Sequence, residues 1–190
     1  MKYDKQQLTD IFISGERLLK DFHLPTWEEL PTIDLYMDQV IVLLNGYLSI
    51  FCEISNDDKL ITATMIHNYV KQKIIPAPIK KKYSKMHLAY LIMVCILKQT
   101  LSIPMISKMI PPDLSEEEMV SVYSSFIKNH AKAFTYVTEQ ITAVAQPILA
   151  MPESNQDRMN DLVLQVASSA NIFKLLTGWI TREPSEETKK

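Results

Sequence analysis

The sequence predicts an all-α protein, and three observations support this fold class. Its 190 residues contain only three glycines, against ten methionines. Tight hairpins and phosphate-binding loops use glycine for positive φ angles, so most β architectures and nucleotide-binding loops are disfavoured. Apolar residues recur at helical spacing through most of the chain. The composition, 47% hydrophobic and 22% charged, is typical of a folded globular protein rather than a disordered one.

The first part of the chain predicts two helices separated by a turn. Residues 5–22 have apolar side chains on one stripe, which indicates an amphipathic helix. A Thr26-x-x-Glu29 capping box between two prolines predicts a single helical turn that presents Trp27 to the core. Residues 34–52 are apolar over a wide arc, which predicts a buried helix.

The middle of the chain predicts three shorter helices and an extended loop. Residues 62–73 predict a helix with Ile66 and Tyr69 on its apolar face. Prolines 76 and 78 force their preceding residues out of the α region, and a basic loop over residues 80–84 follows. Further helices are predicted over residues 85–99 and 102–110.

The last third predicts two long helices. A Ser115-x-x-Glu118 capping box begins a helix that we expect to end at Pro147, and a final helix covers residues 156–181. The resulting domain organisation is an N-terminal helix and tryptophan turn (1–33), a helix-turn-helix core (34–112), a C-terminal helical region for dimerisation or packing (113–181) and a disordered tail (182–190).

Charge is segregated along the chain. Residues 1–58 carry a net charge of −7 and residues 113–190 a net charge of −4, whereas residues 59–112 contain nine lysines and no acidic residue. This block produces a local positive field in a chain whose total formal charge is −2. Such a field suits a polyanionic partner, and the alternative is a lysine-rich solvated surface.

The order of the middle elements predicts a winged helix-turn-helix with a DNA-binding surface. In that architecture the second helix enters the major groove, and the wing loop contacts a phosphate or the minor groove. Side chains of the 62–73 helix are expected to face base edges or phosphates, and the lysines of the loop are expected to dock phosphates. The predicted DNA-binding residues are Thr62, Thr64, His67, Asn68, Lys71, Lys80, Lys81, Lys82 and Tyr83.

These residues carry two family resemblances. The run Ile61–Pro76 resembles the recognition helix of MerR-type regulators, Lys82–Leu88 resembles their wing and the start of the next helix, and Leu101–Ile106 resembles the last short helix of their DNA-binding module. This resemblance covers residues 35–110 and implies DNA binding in transcriptional regulation. The chain departs from that pattern at His67-Asn68, where Arg-Tyr is usual, and at Lys73, where glycine is usual.

A wider pattern covers residues 10–150. Leu24-Pro25-x-Trp27, Asp34–Val40, Asn68–Lys71 and Lys81–Tyr83 together resemble the bacterial family known as domain of unknown function 1836, from Gram-positive bacteria. That resemblance implies no established activity. The MerR-like core therefore supplies the functional hypothesis, which is a homodimeric regulator that binds double-stranded DNA.

Other function classes find little support in the sequence. Four scattered histidines, no metal-binding spacing and no nucleophile motif argue against an enzyme, and no cofactor is expected. Cys52 and Cys95 are expected to be buried reduced thiols, which fits a cytoplasmic protein without a membrane span or signal peptide. The opposing hypothesis is a helical protein-interaction module that uses the same scaffold without binding DNA. The aromatic and methionine residues of the two long C-terminal helices are interpreted as core residues. The alternative is that they line a small apolar ligand pocket.

Overall fold

The computed structural model describes residues 9–10, 13–15, 17, 21–51, 60–149 and 156–182. The chain divides into two compact units, one formed by Phe22–Lys132 and the other by Met1–Asp21 together with Ala133–Lys190. The described residues are predominantly α-helical and contain one small sheet of two strands. The predominantly α fold expected from the sequence is therefore confirmed.

The named elements follow a simple order along the chain. Residues 9–10, 13–15, 17 and 21 are also helical, in agreement with the helix predicted over 5–22, and residues 49–51 are helical within the stretch predicted over 34–52. The bounds are β1 Leu35–Tyr36, α1 Met37–Tyr47, α2 Ala63–Lys71, β2 Lys82–Tyr83, α3 Lys85–Leu97, α4 Ile103–Met109, α5 Glu116–Leu149 and α6 Gln156–Ile180.

Helix α3 is the centre of the Phe22–Lys132 unit. Its residues 87–95 are all buried, because the helix is apolar around its whole circumference and can be stable only when surrounded. The surrounding core includes Val40 and Leu44 of α1, Ile66 of α2 and Tyr123 of α5. The hydroxyl of Tyr90, a buried residue of α3, donates a 2.6 Å hydrogen bond to the Pro111 carbonyl. This buried polar group therefore has a hydrogen-bond partner.

The turn near Trp27 forms as the sequence predicts. The Thr26 amide donates to the Glu29 carboxylate at 2.7 Å, and the Glu29 amide donates to the Thr26 carbonyl. Trp27 is buried and packs edge-to-face against Tyr123, whose hydroxyl donates to the Pro25 carbonyl at 2.8 Å. This turn therefore fastens the N-terminal end of the unit to α5.

Several predicted boundaries differ from the structure by one or more residues, and two of the differences have a physical explanation. The sequence predicts Leu35 and Tyr36 inside a helix, but they form β1 and pair antiparallel with Tyr83 and Lys82. It also predicts that the helix beginning at Ser115 ends at Pro147, but α5 continues to Leu149. Proline removes one backbone donor and strains the preceding turn, and the helix continues for only two residues beyond Pro147.

Several predictions fall outside the described residues. These are the state of Cys52, part of the helix predicted over residues 5–22, and the tail beyond Arg182. Cys95 is buried with a free thiol, as expected, and burial raises its pKa to about 11. Within the parts of the chain that the structure describes, no helix has the length and apolar character of a membrane crossing, and no cluster of His, Cys, Asp and Glu could hold a metal ion.

Candidate nucleic-acid interface

Helix α2 has one buried and one exposed face. Ile66 and Tyr69 are buried in the core of the unit, in agreement with the predicted apolar face. The opposite face is polar and exposed, and it presents four of the predicted DNA-binding residues: Thr64, His67, Asn68 and Lys71. The hydroxyl of Thr62 caps the helix by accepting a bond from the Met65 amide, so this side chain has a local structural partner.

The C-terminal end of α2 is closed by a lysine in an unusual backbone conformation. The Ile74 amide donates to the Tyr69 carbonyl at 2.8 Å and the Lys73 amide donates to the Val70 carbonyl at 3.0 Å, which is the bond pattern of a Schellman motif. Lys73 has a φ angle of 55°, in the left-handed region that glycine occupies most readily. The lysine that replaces the usual glycine therefore keeps the backbone shape and adds a charge.

The hairpin tip, which we define as residues 79–82, presents two more lysines in the same way. Ile79 and Lys82 exchange two backbone hydrogen bonds of 3.1 and 2.9 Å around the two-residue turn Lys80-Lys81. The φ angles of these lysines are 51° and 65°. Positive φ at both central residues is the mark of a type I′ hairpin turn, for which Asn-Gly is the favoured sequence. Both lysines are exposed.

His87 forms hydrogen bonds with the chain on both sides of this hairpin. Its Nδ1 accepts a bond of 3.0 Å from the Ser84 amide, so this nitrogen is unprotonated and Nε2 carries the hydrogen. Nε2 then donates to the carbonyl of Ala77 at 3.3 Å. Burial lowers the pKa of His87, while the bond to Ala77 and the charge of Asp34 act in the opposite direction. The neutral ring therefore connects the chain before the hairpin to the chain after it.

Lys82, Lys85 and Tyr83 make contacts within the unit. The ammonium of Lys82 lies 5.2 Å from the centre of the Tyr36 ring, and that of Lys85 lies 4.9 Å from the Trp27 ring. These cation–π contacts give the lysines a local partner. Tyr83 is only 2% exposed and packs edge-to-face on His87, so it lies in the core and not on the surface formed by the exposed lysines.

Asn45 of α1 fixes the entry to α2, and sequence reasoning missed it. Its amide nitrogen donates to the carbonyls of Ile41 and Ile61 at 2.9 and 3.1 Å. Its oxygen accepts from the amides of Leu60 and Ile61 at 2.9 and 3.2 Å. Lys98 adds a bond of 3.5 Å to the Leu60 carbonyl. The available signal was a lone asparagine in the otherwise apolar run of α1.

The exposed lysines of α2 and the hairpin tip form no salt bridge with a described carboxylate. In the described part of the chain, the salt bridge that forms is Arg17–Asp21, and no carboxylate pairs with Lys71, Lys73, Lys80 or Lys81. Because no described carboxylate neutralises them, these lysines place positive charge at the end of α2 and at the hairpin tip. The structure thus places the exposed residues of the predicted site in one compact unit, and separates from them the buried Tyr83.

By its architecture, this is a predominantly helical protein whose Phe22–Lys132 unit presents a polar helix face and a basic hairpin. A family model described as Domain of unknown function (DUF1836) matches residues 25–126, and the chain belongs to that family. No curated protein and no solved structure matches the chain.

Proposed function

We propose that the protein is a homodimeric transcriptional regulator that binds DNA sequence-specifically through a MerR-like winged helix-turn-helix. In this proposal α1 and α2 are the two helices of the motif, and the hairpin tip is the wing. The order of helix, helix, hairpin and helix in residues 37–97 supports this proposal, together with the acid-free stretch that covers α2 and the hairpin.

The observation that carries the proposal is the occurrence of lysine at three left-handed backbone positions. A left-handed conformation costs an L-residue roughly 1–2 kcal/mol, and glycine or asparagine reduces that cost. Lys73, Lys80 and Lys81 all adopt it, all are exposed, and none pairs with a described carboxylate. Turn geometry alone gives no reason for lysine there, whereas binding to a polyanion does.

The proposed mechanism divides the site into two roles. Lys71, Lys80 and Lys81 dock phosphates and release counterions, which supplies affinity independent of base sequence. Thr64, His67 and Asn68 face the base edges, and asparagine can form a bidentate pair with adenine. The Asn45 and His87 contacts fix α2 and the hairpin on the same core, so both act as positioning residues.

The structure suggests narrower roles for the other three predicted residues. Thr62 serves as the helix cap, Lys82 lies over the Tyr36 ring, and Tyr83 is buried. We propose that these residues shape the site, and that Lys82 adds a long-range charge rather than a specific contact.

The test is selection of sheared genomic DNA by the purified protein, followed by sequencing and by binding measurements across salt concentrations. The decisive variant is Lys80→Asn/Lys81→Gly, because it removes two charges while introducing the sequence that a type I′ turn prefers. A loss of DNA binding by this variant therefore cannot be attributed to a misfolded hairpin. We expect enrichment of a two-fold-symmetric site, a steep log–log salt dependence, and a slope about 1 unit shallower per lysine removed.

A matched control removes the same charge elsewhere. Lys128 and Lys132 are exposed on α5 in the same unit. The Lys128→Asn/Lys132→Asn variant has the same net charge as the hairpin variant and is expected to bind DNA nearly as the wild type does. Equal losses in both variants would indicate nonspecific attraction to a cationic protein and would contradict the assigned site.

A helical protein-interaction module is the second candidate. An exposed apolar groove favours it: Ile33 and Val42 are 69% and 75% exposed, and they line a concave surface with Leu35 and Leu43. Failure of a folded sample to enrich any DNA at low salt, together with binding of a protein partner that Val42→Asp abolishes, would select this candidate.

A further inference from the structure

Helix α6 has large apolar side chains that remain exposed to solvent. Nine large apolar side chains of its described part are exposed. Together they expose on the order of 1,000 Å² of apolar surface, distributed around the helix, and exposed apolar surface of this extent marks interaction sites. A helix that is apolar around its circumference is normally buried on more than one side.

One side of α6 faces residues 136–144 of α5, which belong to the same unit. Leu162 is only 7% exposed, and Val166, Ala170 and Phe173 line a groove of about 370 Å³ against the C-terminal half of α5. These four residues are spaced by three and four positions, so they share one face of the helix. Among the described residues, packing against α5 accounts for this face of α6.

A second stripe lies on the opposite face. Leu164, Ile172, Leu175 and Trp179 are 64%, 56%, 65% and 72% exposed, and the small side chain of Ser168 lies between the first two. The steps along this stripe are four, four, three and four residues, the spacing of a helix-packing seam. With its neighbours on α6, this stripe can supply the roughly 800 Å² that each partner buries in a stable interface.

The ends of the stripe carry opposite charges. Asp161 lies three residues before Leu164, on the same face of α6 as the stripe, and Arg182 lies three residues after Trp179, just beyond the end of the helix. Both side chains are exposed, and neither forms a salt bridge within the described part of its own chain. The stripe is therefore acidic at its start and basic at its end.

We propose that α6 pairs antiparallel with α6 of a second copy of the chain through this stripe. An antiparallel arrangement centred between residues 171 and 172 places Leu164 opposite the second copy's Trp179. It also places the small Ser168 opposite the larger Leu175 of the second copy. The same register brings Asp161 opposite the second copy's Arg182 at both ends. A two-fold interface must be self-complementary, and this register satisfies that requirement for side-chain size and for charge. A parallel pairing places like charges together at both ends.

This proposal identifies the surface behind the homodimer of the proposed function, but its test uses no DNA. The oligomeric state of the full chain is measured by sedimentation equilibrium over a range of concentrations. We expect a dimer for the wild type, and a dimer weakened at least tenfold by Trp179→Glu, which places a charge in the seam. A wild type that remains monomeric at about 100 μM, or that dimerises equally with Trp179→Glu, overturns the proposal.

Charge reversal tests the register. Asp161→Arg and Arg182→Asp each replace two attractions with two repulsions across the dimer, so each alone is expected to weaken dimerisation roughly tenfold. The double variant Asp161→Arg/Arg182→Asp restores both pairs and recovers the wild-type dissociation constant. Recovery excludes misfolding as the cause of the single-variant losses, and failure to recover overturns the antiparallel register.

A mixing experiment gives the sharpest readout. One chain with Asp161→Arg and one with Arg182→Asp are complementary to each other at both ends of the stripe, while each is repulsive to itself. An equimolar mixture is therefore expected to form the mixed dimer in excess over either homodimer, as native mass spectrometry of the two differently tagged chains would show. A statistical mixture overturns the proposed charge pairing. Failure of the DNA selection described above leaves all three dimer measurements unaffected.

Discussion

Asn45 should contribute more to stability than any other polar side chain of α1, because four hydrogen bonds converge on its amide. Replacing it by alanine removes the hydrogen-bond partner of the Leu60 amide, the Ile61 amide and the Ile61 carbonyl. The Ile41 carbonyl also loses the bond to this side chain, but it lies within α1 and keeps its helical backbone hydrogen bond. At about 1 kcal/mol per lost bond, Asn45→Ala should lower the free energy of unfolding by about 2–3 kcal/mol.

Asn68→Ala is the matched control for this prediction. Both changes replace asparagine by alanine within a helix, so the gain in helix propensity, roughly 0.5 kcal/mol, is common to both. Asn68 is exposed, and its change should alter stability by less than about 0.5 kcal/mol. The difference between the two variants therefore isolates the contacts of Asn45 with residues 60 and 61.

Urea unfolding followed by tryptophan fluorescence measures this difference. The chain has two tryptophans, of which Trp27 is buried in the Phe22–Lys132 unit and Trp179 is exposed in the other unit. In a Trp179→Phe background the signal reports the first unit alone. With a dependence of roughly 2 kcal/mol per molar urea, the midpoint for Asn45→Ala should fall by about 1 M relative to Asn68→Ala. A difference below about 0.2 M would refute the reasoning.

Three further outcomes follow from the geometry. Lys73→Gly should raise the free energy of unfolding by about 0.5–1 kcal/mol, since the relief of left-handed strain exceeds the added entropy of the unfolded chain, and a decrease in the urea midpoint would contradict this. Burial lowers the pKa of both His87 and His130, so below pH 6.5 the unfolded chain takes up protons that the folded chain does not. The free energy of unfolding should therefore keep its full value above the ordinary histidine pKa of 6.5 and decrease as the pH falls below it. A urea midpoint that is constant between pH 7.5 and 5.5 would argue against the burial of both histidines. In a Cys52→Ser background, Cys95 should resist a thiol reagent at pH 8 until urea is added, because its thiol is buried and its pKa is raised to about 11, and rapid labelling of the native protein would disprove this.

The elements that could be predicted from sequence are those whose signals are local. The two faces of α2 follow from helical spacing, and the cap of α5 follows from the Ser115–Glu118 box. In the structure the Ser115 amide donates to the Glu118 carboxylate at 2.8 Å, and the Glu118 amide donates to the Ser115 hydroxyl at 3.3 Å. Both signals need only a few neighbouring residues, so they survive without knowledge of the rest of the fold.

The features that could not be predicted depend on partners far along the chain. β1 exists because Leu35 and Tyr36 pair with a strand that begins at Lys82, and two residues carry no periodic signal of their own. The burial of Tyr83 depends on the same pairing and on His87 of the following helix. The basic loop alone leads to the expectation that this tyrosine is on the binding surface, whereas its side chain is only 2% exposed.

The candidate site illustrates the same division. The exposed polar face of α2 was predictable because an amphipathic helix determines which residues point outward. The left-handed backbone of Lys80 and Lys81 was not, because lysine is an uncommon residue in a type I′ turn and the usual Asn-Gly signal is missing. The role of Asn45 depends on residues 60 and 61 returning to α1, which only the structure provides.

The three left-handed lysines also bear on how this surface can change by mutation. A lysine codon becomes an asparagine codon by substitution of its third base, so a residue better suited to left-handed backbone is one mutation away at positions 73, 80 and 81. At each position that mutation would stabilise the fold and remove a positive charge. Stability and the proposed binding activity therefore favour different residues at the same sites, and variants selected only for thermal stability should lose the basic surface first.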